Sequence, residues 1–93
     1  MESKLQKQVM QYFKTKGFYA IKIITATKTG VPDIFCCIKG KFVAIELKSP
    51  KKRADKLQDY NIRQIQESGG IAFCSDNYEE IVHKLEEIRS IFP

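Results

Sequence analysis

Ninety-three residues make one domain across 1–93 the expectation, with a compact core and a modest stability margin. A hydrophobic fraction of 43% and ten aromatic residues exclude a disordered chain. No apolar run reaches membrane-spanning length, and the polar opening Met1-Glu2-Ser3-Lys4 is not a signal peptide, so a soluble cytoplasmic protein is expected. The net charge of +5 hides an asymmetry: residues 1–56 carry thirteen Lys/Arg against four acidic residues, and residues 57–93 carry three against seven. Such polarity suggests a face that meets a polyanion.

Leu5, Val9, Tyr12 and Phe13 recur at helical spacing within residues 2–16, and Gly17 marks the stop. Phe18 to Ile24 is rich in aromatic and β-branched residues and reads as a strand, followed by a polar loop, residues 25–30. Two further apolar runs, Asp33 to Ile38 and Lys41 to Lys48, meet at Lys39-Gly40, the pattern of a β-hairpin closed by Pro50. Residues 54–68 carry Leu57, Asn61 and Ile65 in a helical pattern that ends at Gly69-Gly70. Ile71 to Cys74 is a short strand. Ser75 and Asp76 are the N-cap candidates for a last helix whose apolar stripe is Ile81, Val82, Leu85 and Ile88. The order αβββαβα predicts an α/β fold, a mixed sheet flanked by helices, with the step through residues 42–74 joining parallel strands. Cys36, Cys37 and Cys74 lack metal-ligand spacing and sit in apolar runs, so all three are expected as buried thiols. The lone His83 reads as an ordinary helix residue.

The stretch from Gly30 to Lys48 carries the chemistry. Side chains alternate along a strand, so Glu46 and Lys48 share one face while Val43, Ile45 and Leu47 share the other. If Lys39-Gly40 is a two-residue turn, Ile38 pairs with Lys41 and Asp33 falls opposite Glu46; a three-residue turn would break that register. Two carboxylates side by side on adjacent strands repel unless a cation joins them. Mg²⁺ takes oxygen ligands, and Asp33, Glu46 and the backbone carbonyl of Leu47 supply them. Lys48 would bring an ammonium to a scissile phosphate. A salt bridge between Glu46 and Lys48 on a solvated sheet face is the competing reading of the same residues.

Asp33, a twelve-residue gap and Glu46-Leu47-Lys48 match the PD-(D/E)xK nuclease motif, Pro32 included. With Gly30-Val31-Pro32-Asp33, Ile45-Glu46-Leu47-Lys48 and Gln58, the chain resembles the VRR-NUC nucleases, particularly small stand-alone members of viral or bacterial type. The resemblance implies a restriction-endonuclease-like fold and a Mg²⁺-dependent endonuclease, with Mn²⁺ as a substitute, that hydrolyses DNA by in-line attack of water. It implies catalytic roles for Asp33, Glu46 and Lys48, and supporting roles for Glu2 on the first helix, which could reach the metal, and for Gln58. Ala54-Asp55-Lys56 stands where a Ser-Pro pair is commoner in the family, which leaves the start of that helix open. Lys51, Lys52 and Arg53, with Lys28 and Lys22 as weaker candidates, would contact DNA phosphates without reading sequence. Stand-alone members similar to Holliday-junction resolvases suggest branched DNA and a homodimer, with Ile88, Ile91 and Phe92 as interface candidates, acting in the cytoplasm, that of a host if the protein is viral. A non-enzymatic DNA-binding module of the same fold and an RNA nuclease are the alternatives.

Overall fold

The computed structural model describes residues 3–49 and 55–92. The elements follow in the expected order: α1 (Lys4–Lys16), β1 (Tyr19–Lys22), β2 (Ile34–Ile38), β3 (Lys41–Leu47), α2 (Lys56–Glu67), β4 (Ile71–Ser75) and α3 (Tyr78–Ile91). The sheet has four strands in the order β1-β2-β3-β4; the first three are antiparallel, and β4 runs parallel to β3. This is the mixed sheet with flanking helices of a restriction-endonuclease-like fold.

Local signals account for most boundaries. Ser3 caps α1 through a capping box with Gln6, and Gly17 ends it in the left-handed conformation at φ 78°. The first strand is shorter than the apolar run implied: after Lys22 only the Ile23 N–H still donates to the Asp33 carbonyl, at 2.7 Å, and Ile24 is exposed. Asp55 caps α2 by accepting from the Leu57 and Gln58 N–H groups, so the helix starts at Lys56 although no Ser-Pro pair precedes it. α3 is capped by Asn77, not by Ser75 or Asp76, because the Ser75 hydroxyl is taken up in a turn with the Asn77 backbone.

The two faces of the sheet are packed differently. On one, Ile34, Cys36, Ile38, Val43 and Ile45 meet Val9, Tyr12 and Phe13 of α1 and Ile81, Leu85 and Ile88 of α3. Phe13 is fully buried in this cluster, and its removal to alanine would cost about 3–5 kcal/mol. On the other, α2 lies over β3 and β4, with Ile62 against Ala44 and Ala72. Ile88 is therefore a core residue and not a surface one, and Phe92 packs against the same core with Lys41 Nζ over its ring at 5.5 Å. Only Ile91 of the three expected interface residues is exposed. The thiols also divide: Cys36 is buried, its pKa pushed up to about 12 by burial, but Cys74 is half-buried and Cys37 exposed. Adjacent residues on a strand point to opposite faces, so Cys36 and Cys37 could not both enter one core.

A polar tether joins α1 to α3. The buried Tyr12 hydroxyl donates to Glu86, which also meets Arg89 at 3.1 Å and Lys16 at 3.7 Å. The Tyr12 hydrogen bond, then the two cations, hold the Glu86 carboxyl below its usual range, and burial raises the Tyr12 phenol above its own. Tyr12→Phe should lower stability by about 1–2 kcal/mol at neutral pH. A depressed carboxyl contributes stability above its unfolded pKa and loses it as pH falls through the folded value. The gap between wild type and Tyr12→Phe in urea melts should therefore shrink below about pH 4; a gap independent of pH would remove Glu86 from this account.

Candidate active site

The β2–β3 turn sets the register of the site. Lys39 and Gly40 have φ 53° and 80°, both positive as a two-residue type I′ hairpin requires, and Ile38 pairs with Lys41. Counting from there, the ladder's last regular pair is Ile34 with Ile45, and the next step sets Asp33 opposite Glu46. Beyond the ladder, the Leu47 N–H donates to Asp33 Oδ2 at 2.8 Å, so the aspartate is held on the strand that carries Glu46. The Lys48 N–H donates to the Ser75 carbonyl at 3.0 Å and extends the parallel pairing one residue past β3.

Glu46 lies on the α2 face of the sheet, the same face as Ala44, and is only 5% exposed. The solvated face assumed for a surface Glu46–Lys48 salt bridge is thus not what the fold provides. Burying a carboxylate is costly unless hydrogen bonds or a cation compensate. Its Oε1 atom is buried and accepts no hydrogen bond, although the residue is not without a partner. Asp33 is half-buried. The carboxylates of Asp33 and Glu46, from neighbouring strands, are hard oxygen donors of the kind Mg²⁺ takes. Among the described residues no group of three His, Cys, Asp or Glu side chains could hold a metal ion, so the set is limited to two side chains there.

The loop leading to Asp33 is clamped to α2. Gly30 has φ 82°, and a Cβ there would lie 2.9 Å from Leu57 Cγ and 3.0 Å from the Leu57 carbonyl carbon. Asn61, 7% exposed, donates from Nδ2 to the Thr29 carbonyl at 3.1 Å and to the Leu57 carbonyl at 2.9 Å. The clamp therefore ties the Asp33 loop to the first turn of α2, where Gln58 is half-buried. Sequence reasoning placed Asn61 only in an apolar stripe; a polar residue at a stripe position was the available signal.

Asp33, Glu46, Leu47 and Lys48 thus lie at neighbouring ends of β2 and β3, and Gln58 follows Leu57, the α2 residue against which Gly30 is seated. Lys28 is exposed on the loop that precedes Asp33, and Lys22 ends β1. Glu2, Lys51, Lys52 and Arg53 lie outside the described residues. No helix among the described residues is long and apolar enough to cross a membrane. A search of curated proteins returned no match. Residues 2–78 match the model of the archaeal Holliday junction resolvase (Hjc) family. The chain, by that match over most of its length, belongs to the archaeal Holliday junction resolvase family, structure-selective DNA nucleases of the PD-(D/E)xK superfamily.

Proposed function

We propose that this chain, as one nuclease domain across 1–93, is a divalent-metal-dependent resolvase that works as a symmetric homodimer on four-way DNA junctions. The observation that carries the reading is the placement of Asp33 beside Glu46, with its carboxylate fixed by the Leu47 N–H. Asp33, Glu46 and the Leu47 carbonyl would hold Mg²⁺, or Mn²⁺ in its place. Such an ion, when bound, polarises a phosphoryl oxygen and activates water.

The protein's own residues then orient and neutralise. The hydrogen bond from Leu47 keeps Asp33 Oδ2 turned toward β3, which limits the carboxylate's freedom before any ligand arrives. Strand alternation puts Lys48 on the Glu46 face, where its ammonium stabilises charge that develops on the scissile phosphate. Gln58, in the first turn of α2, is suited to donate to that phosphate or to meet Lys48. Glu2 supports the metal. Lys51, Lys52, Arg53 and Lys28 hold phosphates of the flanking duplex, which sets register without sequence reading. The GVPD and IELK segments, with Gln58, support a VRR-NUC type of site within the superfamily. Acting on DNA, the enzyme belongs in the cytoplasm.

One site cuts one strand per encounter, whereas resolving a junction takes two symmetric incisions; a two-fold dimer supplies them. The reading is tested by mixing wild type with an Asp33→Asn variant before adding an end-labelled junction. Mixed dimers should leave junctions nicked on one strand only. Paired incisions in strict proportion to the wild-type fraction, with no singly nicked product, would overturn the dimer.

A further inference from the structure

Asn61 is, with Glu46 and Ser75, one of the buried polar side chains among the described residues. It sits on the inward side of α2 beside Ile62 and Ile65, which pack on the sheet. Asparagine is a weak helix former and its amide is costly to bury, so its place there has to be explained by what it bonds. Both amide hydrogens are spent: Nδ2 donates to the Leu57 carbonyl at 2.9 Å and to the Thr29 carbonyl at 3.1 Å. Because both partners are acceptors, only the N–H₂ end of the amide can face them, and its sense is fixed. The first bond stays within α2 and holds the side chain's rotamer. The second crosses to the loop that leads to Asp33.

Little slack separates that second bond from the carboxylate. Thr29 stands four residues before Asp33. Between them, Gly30 is seated against Leu57 too closely for a Cβ, and Pro32 is fully buried with φ fixed by its ring. Asp33 itself lies one step past the last regular pairs of β2, Lys22 with Ile34 and Ile34 with Ile45. Its backbone is held there by the Ile23 N–H, which donates to its carbonyl at 2.7 Å, and its side chain by the Leu47 N–H, which donates to Oδ2 at 2.8 Å. A carboxylate held through one oxygen can still pivot about that bond. The direction from which the loop enters decides how far.

We propose that Asn61 is a positioning residue of this centre: by holding Thr29 to Leu57 it fixes the entry of the Asp33 loop, and with it the placement of the Asp33 carboxylate against Leu47, an assignment whose catalytic half rests on the nuclease reading above. The same bridge sets the spacing between the Asp33 loop and Gln58, the residue after Leu57, because loop and helix turn share one side chain. Asn61 is given no contact with a reacting atom. It acts through the loop.

Amide hydrogen exchange of the metal-free protein, followed residue by residue by NMR, reads this directly, since the Leu47 N–H is the group that Asp33 engages. Asn61→Ser is the sharper variant. A serine hydroxyl can donate back to the carbonyl four residues earlier, so the bond to Leu57 is kept and the bond to Thr29 is lost; Asn61→Leu, of similar size, loses both. In each, Leu47 exchange should quicken by about tenfold, the change that the net worth of one hydrogen bond supplies. Lys48, whose N–H is bonded to the Ser75 carbonyl, should exchange as in wild type. Single-turnover junction cleavage at saturating enzyme should slow by about tenfold as well, with junction affinity in EDTA unchanged. Ile62→Val, which loosens the same helix without touching the bridge, should change neither readout. Unchanged Leu47 exchange in Asn61→Ser would overturn the proposal. So would Leu47 and Lys48 quickening together, or Ile62→Val reproducing the effect, since either reduces Asn61 to general support of the fold. Because exchange is read without DNA or metal, the two failures are distinguishable: a wild type that cuts no junction would remove the nuclease reading, and the Leu47 comparison would still decide the bridge.

Discussion

Asp33→Asn, Glu46→Gln and Lys48→Ala are each expected to lower junction cleavage by about a thousandfold or more, a loss of the size seen when one preorganised electrostatic group is removed from a reacting phosphate or acyl centre. Asp33→Asn is the most informative. Its amide oxygen can still accept the Leu47 N–H, so the backbone of the site is kept while the other half of the group becomes an N–H₂ donor that repels a cation. Glu46→Gln keeps the volume of a side chain that is 5% exposed and removes a charge that burial makes costly. Junction affinity without metal should be unchanged or slightly higher in both, because a negative charge facing phosphate has gone. Gel-shift titrations in EDTA and single-turnover cleavage in Mg²⁺ check the two halves separately. Cleavage near the wild-type rate by any of the three variants would misplace the site.

Gly30→Ala should be the most damaging change outside the carboxylates. The left-handed conformation at φ 82° disfavours any side chain. Here the new methyl would also meet Leu57 Cγ at 2.9 Å and the Leu57 carbonyl carbon at 3.0 Å, and the latter belongs to the helix backbone and cannot swing aside. Either the chain absorbs a strain of about 1–3 kcal/mol, or the loop moves off α2 and takes Asp33, three residues on, out of line with Glu46. Both outcomes are measurable: a lower urea midpoint, and a cleavage rate that falls further than junction affinity. A variant with unchanged stability and rate would show that the loop's seat on α2 does not position Asp33.

Much of this geometry was legible in the chain. Lys39-Gly40 fixed a two-residue turn, and the turn fixed the register that sets Asp33 opposite Glu46; the alternation of Ile34, Cys36 and Ile38 against Val43 and Ile45 agreed with it. Local rules were enough there because hairpin register is decided within a few residues. Burial of Glu46 was not legible, since it depends on which sheet face α2 crosses, a tertiary choice that the strand pattern alone does not encode. Ile88 misled for the same reason: an apolar residue near the end of a helix looks spare until the helix is seen on the core. Asn77, next to the first helical residue, took the cap in place of Ser75, whose hydroxyl had a competing local bond. Cys37 is a different case: it was expected buried with Cys36, yet alternation along the strand turns it to the opposite face, where it is exposed.

The site's outer parts divide along the same line. Gln58 was read from resemblance, and the capped first turn of α2 gives it a fixed base. The clamp joins Asn61 to Thr29, thirty-two residues apart in the chain, and nothing in the local sequence announces a contact at that separation.

The central claim is that a divalent-metal site on Asp33 and Glu46 cuts branched DNA in preference to linear DNA. The most direct measurement is single-turnover cleavage of end-labelled four-way, flap, linear duplex and RNA substrates of matched arm sequence, in Mg²⁺, in Mn²⁺ and in EDTA, with Asp33→Asn beside the wild type. The account predicts paired incisions in the four-way junction at least tenfold faster than in linear duplex, supported by either metal and absent both in EDTA and in the variant. Cleavage that persists in EDTA or in Asp33→Asn, or that proceeds equally on linear duplex or RNA, would contradict it.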